Sequence, residues 1–224
     1  QIEDEDLYRF LDYAAENVRQ DAHVQLEKIA DGRDPWEVFK DVKFLGNSRI
    51  DPCSRILKRE LLEKWRNEYC DPSYTTLHFG IDWTEEYRME RIRNRTPEWE
   101  ITAPMCEMPL LPKKDMLLWA KEEGLRPPRL YALGFHHNNC GGMCVKAGQA
   151  QFELLLRTMP KRYAYHEEKE AELQRSIGKA ATILRDRRNG ETTPISLKDF
   201  RIRLEAQPDL FDQFEWGGCG CAVE

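Results

Sequence analysis

The residues here with the most chemistry in them are seven cysteines: Cys53, Cys70, Cys106, Cys140, Cys144, Cys219 and Cys221. Cys140 and Cys144 lie in the loop GFHHNNCGGMC at 134–144, where glycines let backbone amides approach a metal or a sulfide closely. Thiolates in such a loop suit zinc or an iron–sulfur cluster. A tetrathiolate site needs two more ligands. Cys53 in DPCSR and Cys106 in APMCEMP, each in a proline-flanked loop, are the expected partners. A zinc ion could instead recruit His136 or His137 into a mixed sulfur–nitrogen set. Without a metal the segment is a structural thiol loop, which is also the reading for Cys70 as an ordinary buried cysteine.

Three other groups carry possible chemistry. Cys219 and Cys221 stand one residue apart in GGCGC at 217–221. They could form a redox pair, attack a substrate sulfur, bind metal, or belong to a plain tail. In CSRILKRE at 53–60, a helix would place Arg55, Lys58 and Arg59 on its first turns beside its N-terminus, with Arg55 and Lys58 on one face. Cations next to open backbone amides make an anion site; the alternative is a solvated basic face paired with Glu60 and Glu63. Arg185, Arg187 and Arg188 surround the Asn189-Gly190 turn, either to grip phosphates or simply to solvate it.

The elements that must hold these groups follow from spacing. Leu7, Phe10, Leu11, Ala14 and Val18 predict a helix over 4–20 with acids at its positive end. A strand or helix end is expected over 24–29, a short Pro-initiated helix from 34 to 39, and a long helix over 54–69. Tyr74 to Ile81 reads as a buried strand, 84–95 as a charged helix, and 99–102 as a short strand. Helices are expected over 114–123, 145–159, 167–177 and 197–204, with a hairpin over 182–196. The order indicates an α/β protein with a smaller, mostly helical C-terminal part, divided as 1–144 and 145–224.

Composition limits the setting. The 224 residues hold 34 Lys and Arg against 40 Asp and Glu, a net charge of −6 that disfavours nucleic-acid binding by overall charge. No apolar run reaches the ~18–20 residues of a membrane span. The odd cysteine count and the absence of a charged-then-apolar opening predict a reducing, cytoplasmic setting.

Four segments carry a resemblance. They are IEDEDLYRF (2–10), CSRILKRELL (53–62), TLHFGIDWTEEYRMERI (76–92) and PLLPKKDMLLWAKEEGLRPPRLYALGFHHNNCGGMC (109–144). Together they resemble the phosphoadenosine-phosphosulfate reductase-like branch of the adenine-nucleotide alpha-hydrolase (ATP-pyrophosphatase) superfamily, over about residues 2–160 and most strongly over 109–144. The resemblance implies a parallel sheet binding an adenine nucleotide, ATP or phosphoadenosine phosphosulfate, at the carboxyl ends of its strands. It implies Arg55, Lys58 and Arg88 as anion contacts and Cys53, Cys106, Cys140 and Cys144 as cluster ligands. A tail thiol, Cys219 or Cys221, would attack sulfur in a sulfonucleotide reductase. An ATP-pyrophosphatase would adenylate its substrate, which in some relatives is a nucleic acid. The alternative is a non-catalytic accessory or scaffold protein of a phage, mobile element or defence system, with a protein partner.

Three departures are visible. No Ser-Gly-Gly-x-Asp-Ser loop occurs, the 140/144 pair has C-x3-C rather than C-x2-C spacing, and GGCGC replaces a Glu-Cys-Gly-Leu-His tail. The superfamily's central strand and phosphate loop would precede Gln1, so roughly 30–40 further residues are expected upstream.

Overall fold

The computed structural model describes residues 2–47, 49–187 and 191–206; the tail thiols Cys219 and Cys221, like Arg188 and the 189–190 turn, lie outside them. Helix α1 (Glu5–Ala22) starts where the Asp4 carboxylate accepts the Asp6 N–H at 3.1 Å, and it ends at His23 in the left-handed region. It buries none of its own residues and so lies on the surface. The strand or helix end expected over 24–29 is irregular, with Val24 and Leu26 exposed. Helix α2 (Pro35–Asp41) has a reciprocal cap: Asp34 accepts the Glu37 N–H while Glu37 accepts the Asp34 N–H. It buries Trp36, Val38 and Phe39.

The single helix expected over 54–69 is broken into three. Short α3 (Pro52–Ser54) runs into a π-helical stretch (Arg55–Glu60) and then α4 (Leu61–Tyr69). A π turn adds about one residue per turn, roughly 100° of rotation, and so shifts the apolar stripe out of register. Leu62, which 3.6-residue spacing places inward, is 54% exposed, and α4 buries none of its residues.

Strands β1 (Thr76–His78) and β2 (Glu100–Thr102) pair in parallel, Leu77 opposite Ile101, with α5 (Arg88–Arg95) as the crossover. Then come α6 (Lys113–Glu122), α7 (Arg129–Ala132), α8 (Gln149–Thr158) and α9 (Pro160–Ile177). The expected hairpin forms: β3 (Leu184–Asp186) pairs antiparallel with β4 (Thr193–Ile195), followed by α10 (Leu197–Ala206). The fold is thus mixed α/β and mostly helical. Among the described residues, sheet is limited to this hairpin and the two-stranded parallel pair, where the resemblance implies a wider parallel sheet.

Two hydrophobic cores result. The larger runs from Ile2 to Leu204 and gathers Trp36, Phe39, Phe135, Phe152, Tyr163 and Phe200, so it draws on both sides of position 144. The smaller contains Ile81, Met89, Ile92 and Ala103, with Phe79, Ile101 and Cys106 packed against it. Among the described residues no helix is long and apolar enough to cross a membrane.

Candidate functional site

The thiol loop is a strained turn held from outside. Cys140 (φ 52°), Gly141 (φ 58°) and Gly142 (φ 90°) follow one another at positive φ. A non-glycine residue there costs about 1–2 kcal/mol, so the surroundings must impose the conformation at Cys140. They do so from two directions. The Gly141 N–H donates to the Glu3 carboxylate at 3.2 Å, and buried Gln151 of α8 donates to the Gly142 carbonyl at 2.7 Å. Arg162 of α9 donates to the Ile2 carbonyl at 2.7 Å, and a Cβ at position 141 would overlap both Arg162 Nη1 and that carbonyl. Fully buried Asp4 pairs with Arg129 at 2.8 Å and with Arg162 at 3.7 Å. The N-terminal acids therefore do more than cap α1: they staple the chain start to the thiol loop.

Cys140 and Cys144 are buried in the larger core, and Cys53 packs against it from the α3 segment. Burial first, then the charges of Cys140 and Asp51, push the Cys53 thiol up to about 12, while the Ser54 N–H and Lys58 pull it the other way. Cys53 and Cys140 are thus within electrostatic reach, and Cys53 is a protonated thiol near neutral pH. Buried Asp51 lies 3.4 Å from Arg59 Nη2 and 3.7 Å from Lys146 Nζ, the second contact longer than a hydrogen bond. Two short segments, Asp51-Pro-Cys53 and Cys144-Val-Lys146, thus each bring a thiol and a charge into one place. Arg59 belongs to the basic run expected at 53–60, whereas Asp51 and Lys146 were not evident as site residues. The only sequence signal is a charged residue two positions from a loop cysteine.

Cys106 is placed elsewhere. Its thiol donates to the Ile81 carbonyl at 3.4 Å in the smaller core. Burial, followed by the carboxylates of Glu86, Asp82 and Glu107, raises its pKa. Among the described residues no group of three or more His, Cys, Asp or Glu side chains is gathered so that it could hold a metal ion. Of the expected anion contacts, Arg55 and Lys58 share the π-helical stretch and Arg88 lies on α5. Arg55 forms an exposed pair with Glu60 at 2.9 Å, and Lys58 acts on Cys53. Arg88 is buried on α5 and pairs with Glu85 at 3.0 Å. Arg185 lies in β3, hydrogen-bonded to Thr182 at 3.5 Å. His136 is exposed, and its carbonyl accepts from Lys113 at 2.5 Å; His137 faces a cavity of about 330 Å³ that the loop shares with α1, α6 and the Pro127-Pro128 turn.

Compared with known proteins, the chain matches no protein-family model, no curated protein and no solved structure.

Proposed function

We propose that this chain is an adenine-nucleotide-binding, sulfur-handling enzyme of the phosphoadenosine-phosphosulfate reductase-like type, with Cys53, Cys140 and Cys144 as its sulfur centre. The parallel β1–α5–β2 unit is then the visible part of a wider nucleotide-binding sheet. The observation that supports the reading most is the meeting of Cys53 with the 140/144 loop, from segments about ninety residues apart in sequence, beside the Asp51, Arg59 and Lys146 charges.

Cys53, Cys140 and Cys144 have the ligand chemistry of an iron–sulfur cluster or a zinc site but among the described residues are not gathered as a metal-holding group, so they would have to draw together to hold one, whereas Cys106 is bonded to Ile81 in the smaller core. A cluster would supply electron or sulfide chemistry, and zinc would hold a thiolate. The protein's own part is clearer. Burial keeps Cys53 protonated, and a metal held there would replace that proton, releasing it to solvent. The strained loop holds Cys140 in one orientation, and Lys58 offers positive charge beside the thiols for an anionic substrate. Cys219 and Cys221 are the proposed attacking thiols.

Anaerobic purification followed by iron, sulfide and zinc analysis tests this, together with ATP and phosphoadenosine phosphosulfate binding. The expected result is one metal centre per chain, lost in a Cys140→Ser, Cys144→Ser double variant and kept in Cys106→Ser. A protein that holds neither metal nor nucleotide overturns the reading.

A further inference from the structure

We infer that the Glu170 side chain is a proton-controlled clamp: it holds the β3–β4 hairpin and α10 on α9 as one unit, and its grip weakens as the solution turns from acidic to alkaline. Glu170 projects from α9 and is 2% exposed. Its Oε1 accepts the N–H of Ile183, the residue before β3, at 2.9 Å. Its Oε2 accepts the N–H of Leu197, the first residue of α10, at 2.7 Å. One side chain thus grips the backbone both where it enters the hairpin and where it leaves it.

The surroundings make this grip depend on a proton. A carboxylate held out of water is costly, and like charges nearby raise the cost. Glu167 and Tyr163 face Glu170 from α9 and Asp199 faces it from α10, while the hairpin meets it with the Ile183 N–H. Burial, aided by Asp199 and Glu167 and opposed by the two N–H groups, lifts the carboxyl to about 7. Released into water, it would return to about 4.3. The docked form therefore binds the proton more tightly, and docking weakens by up to about tenfold per pH unit between those two values. The Tyr163 hydroxyl, which donates to the Leu197 carbonyl at 2.7 Å, is held up by burial away from neutral pH. His166, four residues before Glu170, is bonded instead to the Trp36 indole of α2 at 3.1 Å.

Other ties keep the unit in place when the clamp is weak. Gln174 of α9 donates to the Ala181 carbonyl at 2.8 Å, and Arg201 of α10 pairs with Glu167 at 2.8 Å. Leu184, Ile195, Leu197, Phe200 and Leu204 of the unit belong to the larger core. The open form is therefore a minor state, and the clamp sets how often it is visited. Arg185 and Arg187 ride on the unit, so the clamp also governs where those cations are presented. The inference is independent of the metal and of the nucleotide.

Amide hydrogen exchange of the full chain between pH 5.5 and 7.5, read by mass spectrometry and corrected for the intrinsic exchange rate, tests it. Protection over 183–187 and 195–204 is expected to fall at least about tenfold across that range. It should also stay below that of α8, which packs on α9 too. Glu170→Gln, which keeps the shape and has no proton to lose, should abolish the fall. Melting curves show whether that variant folds. If it does not, Asp199→Asn carries the test, because removing a like charge should move the midpoint of the fall to lower pH. Protection of the unit equal to that of α8 shows that it opens only with the whole fold and overturns the clamp. Protection unchanged between the two pH values, a fall that persists in folded Glu170→Gln, or an unmoved midpoint in Asp199→Asn also overturns it.

Discussion

Cys140 and Cys106 are both loop cysteines near prolines or glycines, yet each sits against a different core. Cys106 belongs to a region built from one continuous stretch, about residues 76–106, in which a short β–α–β crossover closes on itself. Its thiol finds a carbonyl 25 residues away. Cys140 belongs to a region closed by distant parts of the chain: Arg162 reaches Ile2 across 160 residues, and Arg129 reaches Asp4 across 125. The local region draws its buried core from that one stretch. The long-range region can impose a strained backbone, bury ions and border a cavity, because several elements constrain each atom at once. Functional geometry is concentrated where the constraints overlap, and its disruption is expected to cost most there.

Gly141→Ala against Gly80→Ala is the sharpest test of that contrast. The first adds a Cβ at positive φ against Arg162 and the Ile2 carbonyl, and the second adds one where no heavy atom lies within 4 Å. Urea denaturation should show a loss of about 4 kcal/mol for Gly141→Ala and a change under about 1 kcal/mol for Gly80→Ala. Equal losses would break the comparison.

The larger core should also dominate the pH dependence. Glu170 accepts the Ile183 N–H at 2.9 Å and the Leu197 N–H at 2.7 Å, tying α9 to the hairpin and to α10. Burial pushes its carboxyl up to about 7, aided by Asp199 and Glu167 and opposed by those two N–H groups. The native state thus holds a proton that the unfolded chain releases near its ordinary carboxyl value. Stability from this group is complete below that value and falls by about 3 kcal/mol as pH rises through 7. Buried His166 has the opposite sign: burial, then Arg162, holds it down to about 3, so its contribution is lost as pH falls from about 6.5. The two windows overlap between pH 4.5 and 6.5, where the slopes oppose and largely cancel, so wild-type urea midpoints should change little there, while Glu170→Gln should uncover the His166 slope and make stability rise with pH up to about 6.5. A Glu170→Gln profile identical to the wild-type one would move the titration elsewhere.

Trp36→Phe removes the 3.1 Å hydrogen bond from the Trp36 indole to His166 Nδ1 and leaves that nitrogen unpaired in the core. A loss of about 2 kcal/mol is expected. Trp99→Phe, which leads into β2 and carries Arg66 4.7 Å from its ring centre, should cost about 1 kcal/mol. Thermal melts that reverse this order would weaken the contrast. The smallest effect is expected at Thr76→Val, where an exposed 2.7 Å bond to Glu100 joins β1 to β2. Deletion should cost about 0.5 kcal/mol, and a loss above about 2 kcal/mol would show that the parallel pair matters more to the whole fold than its size suggests.

Local signals carried part of this picture. Asp34-Pro35 with Glu37 specified a capped start for α2, and the alternation around 182–196 specified the hairpin. Each depends on residues close in sequence. The run over 74–81 overstated its strand, of which only Thr76–His78 pairs, because the partner β2 is itself three residues long. The π turn at 55–60 carried no sequence signal, and it undid the face assignment of Leu62.

The amino-acid sequence alone determined which segments turn, where helices are capped, and that the cysteine loop at 140–144 contains glycines able to adopt positive φ. Those properties depend on single residues and near neighbours, so they survive without knowledge of the fold. Only the tertiary structure decided that Cys53 packs against the core that holds Cys140 while Cys106 packs against the other, that Asp51 lies beside Lys146, and that both polar atoms of Asn138 are buried without a partner among the described residues. Such facts depend on which distant segments meet. Burial and charge act through space, and spacing along the chain does not encode them.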